Sequence, residues 1–127
     1  MSVHDYWGFH IEHILPNSPT LEQRQDFDQA HEYDSYKKKL GNLTLLESSI
    51  NSAIGRDYFA DKISAYSKSD VFMTRALVQS QGLGGQGKMD LAGAKLSNFT
   101  RWTTESITAR HSELKALACD LWKFELL

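Results

Sequence analysis

The sequence predicts an α+β fold, mostly helical, whose β component is one small antiparallel hairpin. Two short strand patterns and a change of period carry that prediction. Residues 4–15 alternate, with Trp7, Phe9, Ile11, His13 and Leu15 on one parity and Gly8, His10 and Glu12 on the other. A period of two is strand geometry, and Pro16 ends it because proline has no N–H to give a ladder. Leu43, Leu45 and Leu46 form a second short apolar run that suits a buried strand. From Glu47 the period becomes helical, with Ile50, Ala53 and Ile54 on one face.

The elements between and beyond follow from local chemistry. Asn17-Ser18-Pro19-Thr20 is a turn, and Thr20 with Gln23 makes a capping box for a helix from Leu21. Residues 22–34 are acidic, with Glu22, Asp26, Asp28, Glu32 and Asp34 against Arg24, and read as a solvated insertion rather than a second metal site. Lys37-Lys38-Lys39 form a basic run that either contacts phosphates or meets a helix dipole. Gly41 suits a helix cap or turn. Helical patterns continue over 55–67 and 70–80, and the longest, 102–124, carries Trp102, Ile107, Leu114, Leu117, Leu121 and Trp122. Gly82 to Lys88 satisfies Gly-x-x-x-x-Gly-Lys, but Met89 stands where a Mg²⁺-ligating Ser or Thr belongs and the segment before it reads as helix. A flexible loop is the better reading.

Composition bounds the class. A chain of 127 residues with 41% hydrophobic and 24% charged residues fits one ordinary globular domain with a modest core. No apolar run is long enough to cross a bilayer, and the first residues lack a signal-peptide pattern. Cys119 is the only cysteine, which excludes an internal disulfide and paired Cys-x-x-Cys zinc sites, and makes a reducing cytoplasm the expected setting. The net charge of −2 is low for a protein that binds nucleic acid unaided.

The chemistry concentrates in His10-Ile11-Glu12-His13-Ile14-Leu15-Pro16, Leu40-Gly41-Asn42-Leu43-Thr44-Leu45-Leu46 and Asn51. Phosphodiester hydrolysis needs an activated water, a cation on the developing charge and fixed geometry. A histidine such as His13 titrates near neutrality and can take a proton from water. Glu12 and Asn51 offer a carboxylate and an amide oxygen, hard ligands for Mg²⁺ or Mn²⁺. In a regular strand Glu12 and His13 point to opposite faces, so the backbone must leave ideal geometry for both to serve one site. His10 shares the parity of Glu12 and reads as a surface or packing histidine before an extra ligand. Arg56 and Lys62 are either phosphate-binding cations or exposed helix cations.

This arrangement resembles the HNH nucleases, also called His-Me finger or ββα-metal nucleases: Glu12-His13-Ile14-Leu15-Pro16, then Asn42-Leu43-Thr44-Leu45-Leu46, then Asn51 in order. A closer resemblance, in Ile-Glu-His-Ile-Leu-Pro and Leu-Gly-Asn-Leu-Thr-Leu-Leu, is to the C-terminal domain of GmrSD-type modification-dependent restriction and phage-defence proteins. Trp102, Ile107, Arg110 and Trp122 match residues that recur in that group's closing helix. The Gly-rich segment 82–87 has no counterpart there.

The resemblance implies a ββα-metal (HNH) finger core packed against further C-terminal helices. It implies His13 as general base, Asn42 as the second catalytic-site residue ordering the loop, and Glu12 and Asn51 holding one Mg²⁺ or Mn²⁺. Lys37, Lys38, Lys39, Arg56 and Lys62 are the candidate substrate-binding cations. DNA is the implied substrate, and residues 1–127 are the implied nuclease domain of a longer protein whose N-terminal, nucleotide-hydrolysing part senses the modification. Two other readings stay open: a nuclease-derived module that binds nucleic acid or protein without cutting, and an RNase.

Overall fold

The computed structural model describes residues 8–79, 88–91 and 94–122. The predicted strand residues 4–7, the Gly-rich segment 82–87 and the end of the predicted last helix, 123–124, lie outside them.

The hairpin forms as expected. Strand β1 (Phe9–His13) pairs antiparallel with β2 (Leu43–Glu47), setting His10 opposite Leu46, Glu12 opposite Thr44 and His13 opposite Leu43. The ladder runs on at both ends, where Ile14 N–H donates to Asn42 O (2.9 Å) and Ser48 N–H to Gly8 O (2.9 Å). The parity that faces inward is the polar one. Glu12, Thr44 and Leu46 are buried, while Ile11 and Leu45, opposite each other, are 54% and 52% exposed. Apolar alternation alone would turn this hairpin the other way; buried partners waiting for Glu12 and Thr44 decide it.

Helix α1 (Leu21–Asp26) starts on the predicted capping box, Thr20 and Gln23 each satisfying the other's backbone N–H. A 3₁₀ turn (Ala30–Glu32) leads into helix α2 (Tyr33–Lys37). The acidic side chains of this segment are exposed as expected, yet the segment is more than a solvated insertion. Phe27 and fully buried Tyr33 join Leu15 and Ile107 in a core cluster, and Tyr33 OH donates to Pro16 O at 2.7 Å. Asp28 accepts from both the N–H (3.0 Å) and the Oγ1 (2.6 Å) of Thr104, at the start of the last helix.

After β2, helix α3 (Ser48–Ile54) ends at Gly55, whose φ of +51° is a conformation that side chains with a Cβ rarely adopt. Helices α4 (Phe59–Ser67) and α5 (Phe72–Ala76) are shorter than their sequence patterns. A second hairpin, β3 (Lys88–Leu91) with β4 (Ala94–Ser97), was not expected; its strands are too short to show a period. Helix α6 (Thr104–Trp122) closes the described chain, and Trp102 precedes it rather than lying on it. The main core holds Ile14, Leu46, Ile54, Phe59, Tyr66 and Leu77, and Leu96 packs with Ala76, Leu114 and Leu117 in another. No described helix is long and apolar enough to cross a membrane.

Candidate active site

The first residues of the loop that leaves β1 are held by the Asn42 side chain. Asn42 ends a 3₁₀ turn (Leu40–Asn42) just before β2 and is fully buried. Its Oδ1 accepts from Leu15 N–H at 2.7 Å and from the Trp102 indole N–H at 2.8 Å. Its Nδ2 donates to Leu15 O and Lys37 O, both at 3.0 Å. Every hydrogen-bonding position of the amide is used, two of them on the residue two places after His13. Asn42 therefore has no donor or acceptor left for substrate and stands behind His13 as a residue that orders the loop.

The turn carrying Asn42 is itself gripped by α6. Buried Arg110 donates from Nη1 to Gly41 O (2.9 Å) and Leu43 O (2.6 Å), and Gly41 N–H donates to His111 Nδ1 at 3.2 Å. A Cβ on Gly41 would run into the Ile107 carbonyl oxygen and lie 2.8 Å from the His111 nitrogen, so only glycine allows this approach. Burial pulls the Arg110 guanidinium down to about 10, against the opposing pull of Tyr66 and Glu113.

Glu12 and Asn51 turn to different neighbours. The Glu12 carboxylate is 4% exposed, and its Oε2 accepts from Tyr66 OH at 2.6 Å and pairs with Lys62 Nζ at 3.1 Å. Asn51 lies on α3 with its Nδ2 3.0 Å from His10 Nδ1. No hydrogen bond joins Glu12 to Asn51 among the described residues, nor do these residues hold a cluster of three or more His, Cys, Asp or Glu side chains suited to a metal. The atoms still fit a hard cation: both contacts on Glu12 fall on Oε2, and the amide oxygen of Asn51 is not the atom that meets His10.

His13 stands half-buried at the end of β1. Burial lowers its pKa below the usual histidine value; Glu12 opposes this, and Lys37 and Lys62 add to it. The imidazole is thus held in its neutral, proton-accepting form at neutral pH.

The five predicted phosphate-binding cations separate. Lys62 is 0% exposed and is no substrate-binding cation; that expectation is corrected, because its ammonium is enclosed by Glu12, His13 O and Ile14 O. Lys37 Nζ donates to Asn17 O at 2.9 Å and Arg56 Nη1 to Ser18 O at 3.1 Å, so both tie down the loop after His13. Lys39 Nζ lies 4.7 Å from the centre of the Tyr36 ring, and Lys38 is exposed.

Sequence reasoning missed Tyr66, the enclosure of Lys62 and the pairing of His10 with Asn51. A signal for the first two exists: Phe59, Lys62, Ile63 and Tyr66 fall at helical spacing on one face, so a lysine interrupts an apolar stripe. A cation there needs a buried acid.

The model of the family described as GmrSD restriction endonucleases, C-terminal domain, matches residues 2–117. No curated protein and no solved structure matches the chain.

Proposed function

Because the chain belongs to the C-terminal domain family of GmrSD restriction endonucleases, we propose that it is the nuclease effector of a restriction or phage-defence protein, a divalent-metal-dependent endonuclease acting on DNA. The single observation that carries the reading is Asn42. Its fully used amide grips both backbone groups of Leu15, two places after His13, and anchors them to Lys37 O and the Trp102 indole, which suits a base whose position matters.

In this mechanism His13, kept neutral by burial, accepts a proton from the water that attacks phosphorus and becomes an imidazolium. Glu12 through Oε1 and Asn51 through its amide oxygen would hold one Mg²⁺ or Mn²⁺, which supplies charge stabilisation at the scissile phosphate. His10 fixes the Asn51 amide from its nitrogen side. Lys38 and Lys39 remain the cations for the phosphate backbone, with Lys37 and Arg56 shaping the loop beside them. With a net charge of −2 and two of these cations turned to carbonyls, the domain relies on an N-terminal sensor of the same protein to bring it DNA.

The test is conversion of supercoiled plasmid with Mg²⁺, Mn²⁺ or EDTA, wild type beside His13→Ala, with an RNA substrate in parallel. Metal-dependent DNA conversion lost in the variant is the expected result. Equal conversion by a folded His13→Ala protein would overturn the assignment of the base. The weak basic surface favours a second reading, a binding module that does not cut. In that case the protein shows neither cleavage nor Mn²⁺ stabilisation against heat.

A further inference from the structure

Lys62 is the largest departure from what the sequence suggests, and its surroundings assign it a task. It projects from α4 with no exposed surface. Its ammonium has three partners: Glu12 Oε2 at 3.1 Å, Ile14 O at 3.1 Å and His13 O at 3.2 Å. Three donors meet three acceptors, all on consecutive residues of one strand end. Two of those acceptors are the carbonyls on either side of the Ile14 amide, at the point where β1 stops and the chain bends toward Pro16.

We propose that Lys62 is a positioning residue for His13: its buried ammonium draws the His13 and Ile14 carbonyls and the Glu12 carboxylate to one point, and so sets the strand-end geometry that lets adjacent residues serve one site. The proposal deepens the nuclease reading and rests on it for the role of His13. In a regular strand, residues 12 and 13 face opposite ways. Consecutive carbonyls likewise point to opposite sides of an extended chain, so a single cation reaching both requires a bend. The Ile14 amide, bonded to Asn42 O, and Leu15, bonded to the Asn42 side chain, hold the far side of that bend.

The charges facing Lys62 fit a positioning role. Burial pulls its ammonium below the ordinary lysine value, and Glu12, then Asp57, oppose this. Tyr66 OH completes Glu12 from the same helix, one turn further along. A cation placed to bind phosphate would need an open face, and Lys62 has none.

The experiment compares wild type, Lys62→Met, Glu12→Gln and the Glu12→Gln/Lys62→Met double variant. Lys62→Met strands a buried carboxylate and is prone to unfold, whereas the double variant removes both charges and keeps the volume. Circular dichroism and melting establish which variants are folded. The imidazole Cε1–Hε1 NMR signal of His13, recorded without metal or DNA, then reads its order. Expected is a dispersed His13 signal in wild type and Glu12→Gln that collapses toward the free-histidine position in the double variant. On DNA, any folded single Lys62 variant should lose kcat about 100-fold with KM within about twofold, as a displaced reacting group does.

A folded double variant whose His13 signal stays at the Glu12→Gln position would overturn the positioning role. Loss confined to KM in a folded Lys62 variant would overturn it too, pointing to substrate binding instead. The nuclease reading fails separately: if wild type does not cut, the NMR comparison still decides whether Lys62 orders His13.

Discussion

Trp102 and Asn42 are 60 positions apart and meet through a 2.8 Å hydrogen bond, indole N–H to amide Oδ1. The same oxygen accepts from Leu15 N–H, so one acceptor couples the approach to the last helix with the loop after His13. Asn42→Ala leaves a buried donor, Leu15 N–H, and a half-buried one, the Trp102 indole N–H, without an acceptor. Urea unfolding should show a loss of about 2–6 kcal/mol at unchanged slope, each stranded group costing about 1–3 kcal/mol. A variant as stable as wild type would mean that water replaces the amide.

Trp102→Phe removes the indole N–H while keeping an aromatic ring. The ring keeps its stack on Phe59, at a centroid distance of 5.4 Å, and its edge contact with Phe99 at 5.3 Å. The N–H is lost together with part of the indole's packing area, and Asn42 Oδ1 keeps Leu15. A cost of about 1 kcal/mol is expected by the same urea measurement. A loss matching Asn42→Ala would show that the indole, not the amide, governs the loop.

Gly41→Ala places a methyl group against backbone atoms of α6, which cannot swing aside as a side chain can. Thermal and urea unfolding should show about 1–3 kcal/mol of destabilisation, typical of overpacking. Cleavage should fall as well, although residue 41 is buried away from any substrate. Full activity with lowered stability would uncouple the helix contact from the site.

The lowered pKa of His13 gives a pH prediction with a definite sign. A depressed value keeps the base neutral to below the ordinary 6.5, so the acid limb of kcat/KM against pH should lie below that point. For stability, the unfolded chain binds the proton first as pH falls. Stability is therefore lost progressively from about pH 6.5 downward through the folded value, and His13→Asn should flatten that part of the curve. An acid limb above 6.5 would contradict a desolvated base.

Much of this was legible in the sequence. The hairpin, the capping box at Thr20 and helix α3 follow from period and turn chemistry, and the resemblance pointed to Asn42 as a residue of the loop. What stayed hidden depends on contacts distant in the chain. The inward face of β1 is chosen by Lys62 and Tyr66, some fifty positions on, and nothing within the strand announces them. The acidic segment looked like solvated chain because its carboxylates outnumber Phe27 and Tyr33, yet those two rings anchor it. The hairpin 88–97 is too short for any period to register.

The contact of Gly41 with α6 also has a consequence for how the protein is made. The turn that seats Asn42 is completed by Ile107, Arg110 and His111, which a ribosome reaches only well after Gly41 and β2 have been synthesised. Nascent chains that stop short of this helix carry His13, Glu12 and Asn51 but lack the brace that fixes their loop. The site residues are thus translated before the contacts that hold their loop, and its geometry is set only once α6 docks.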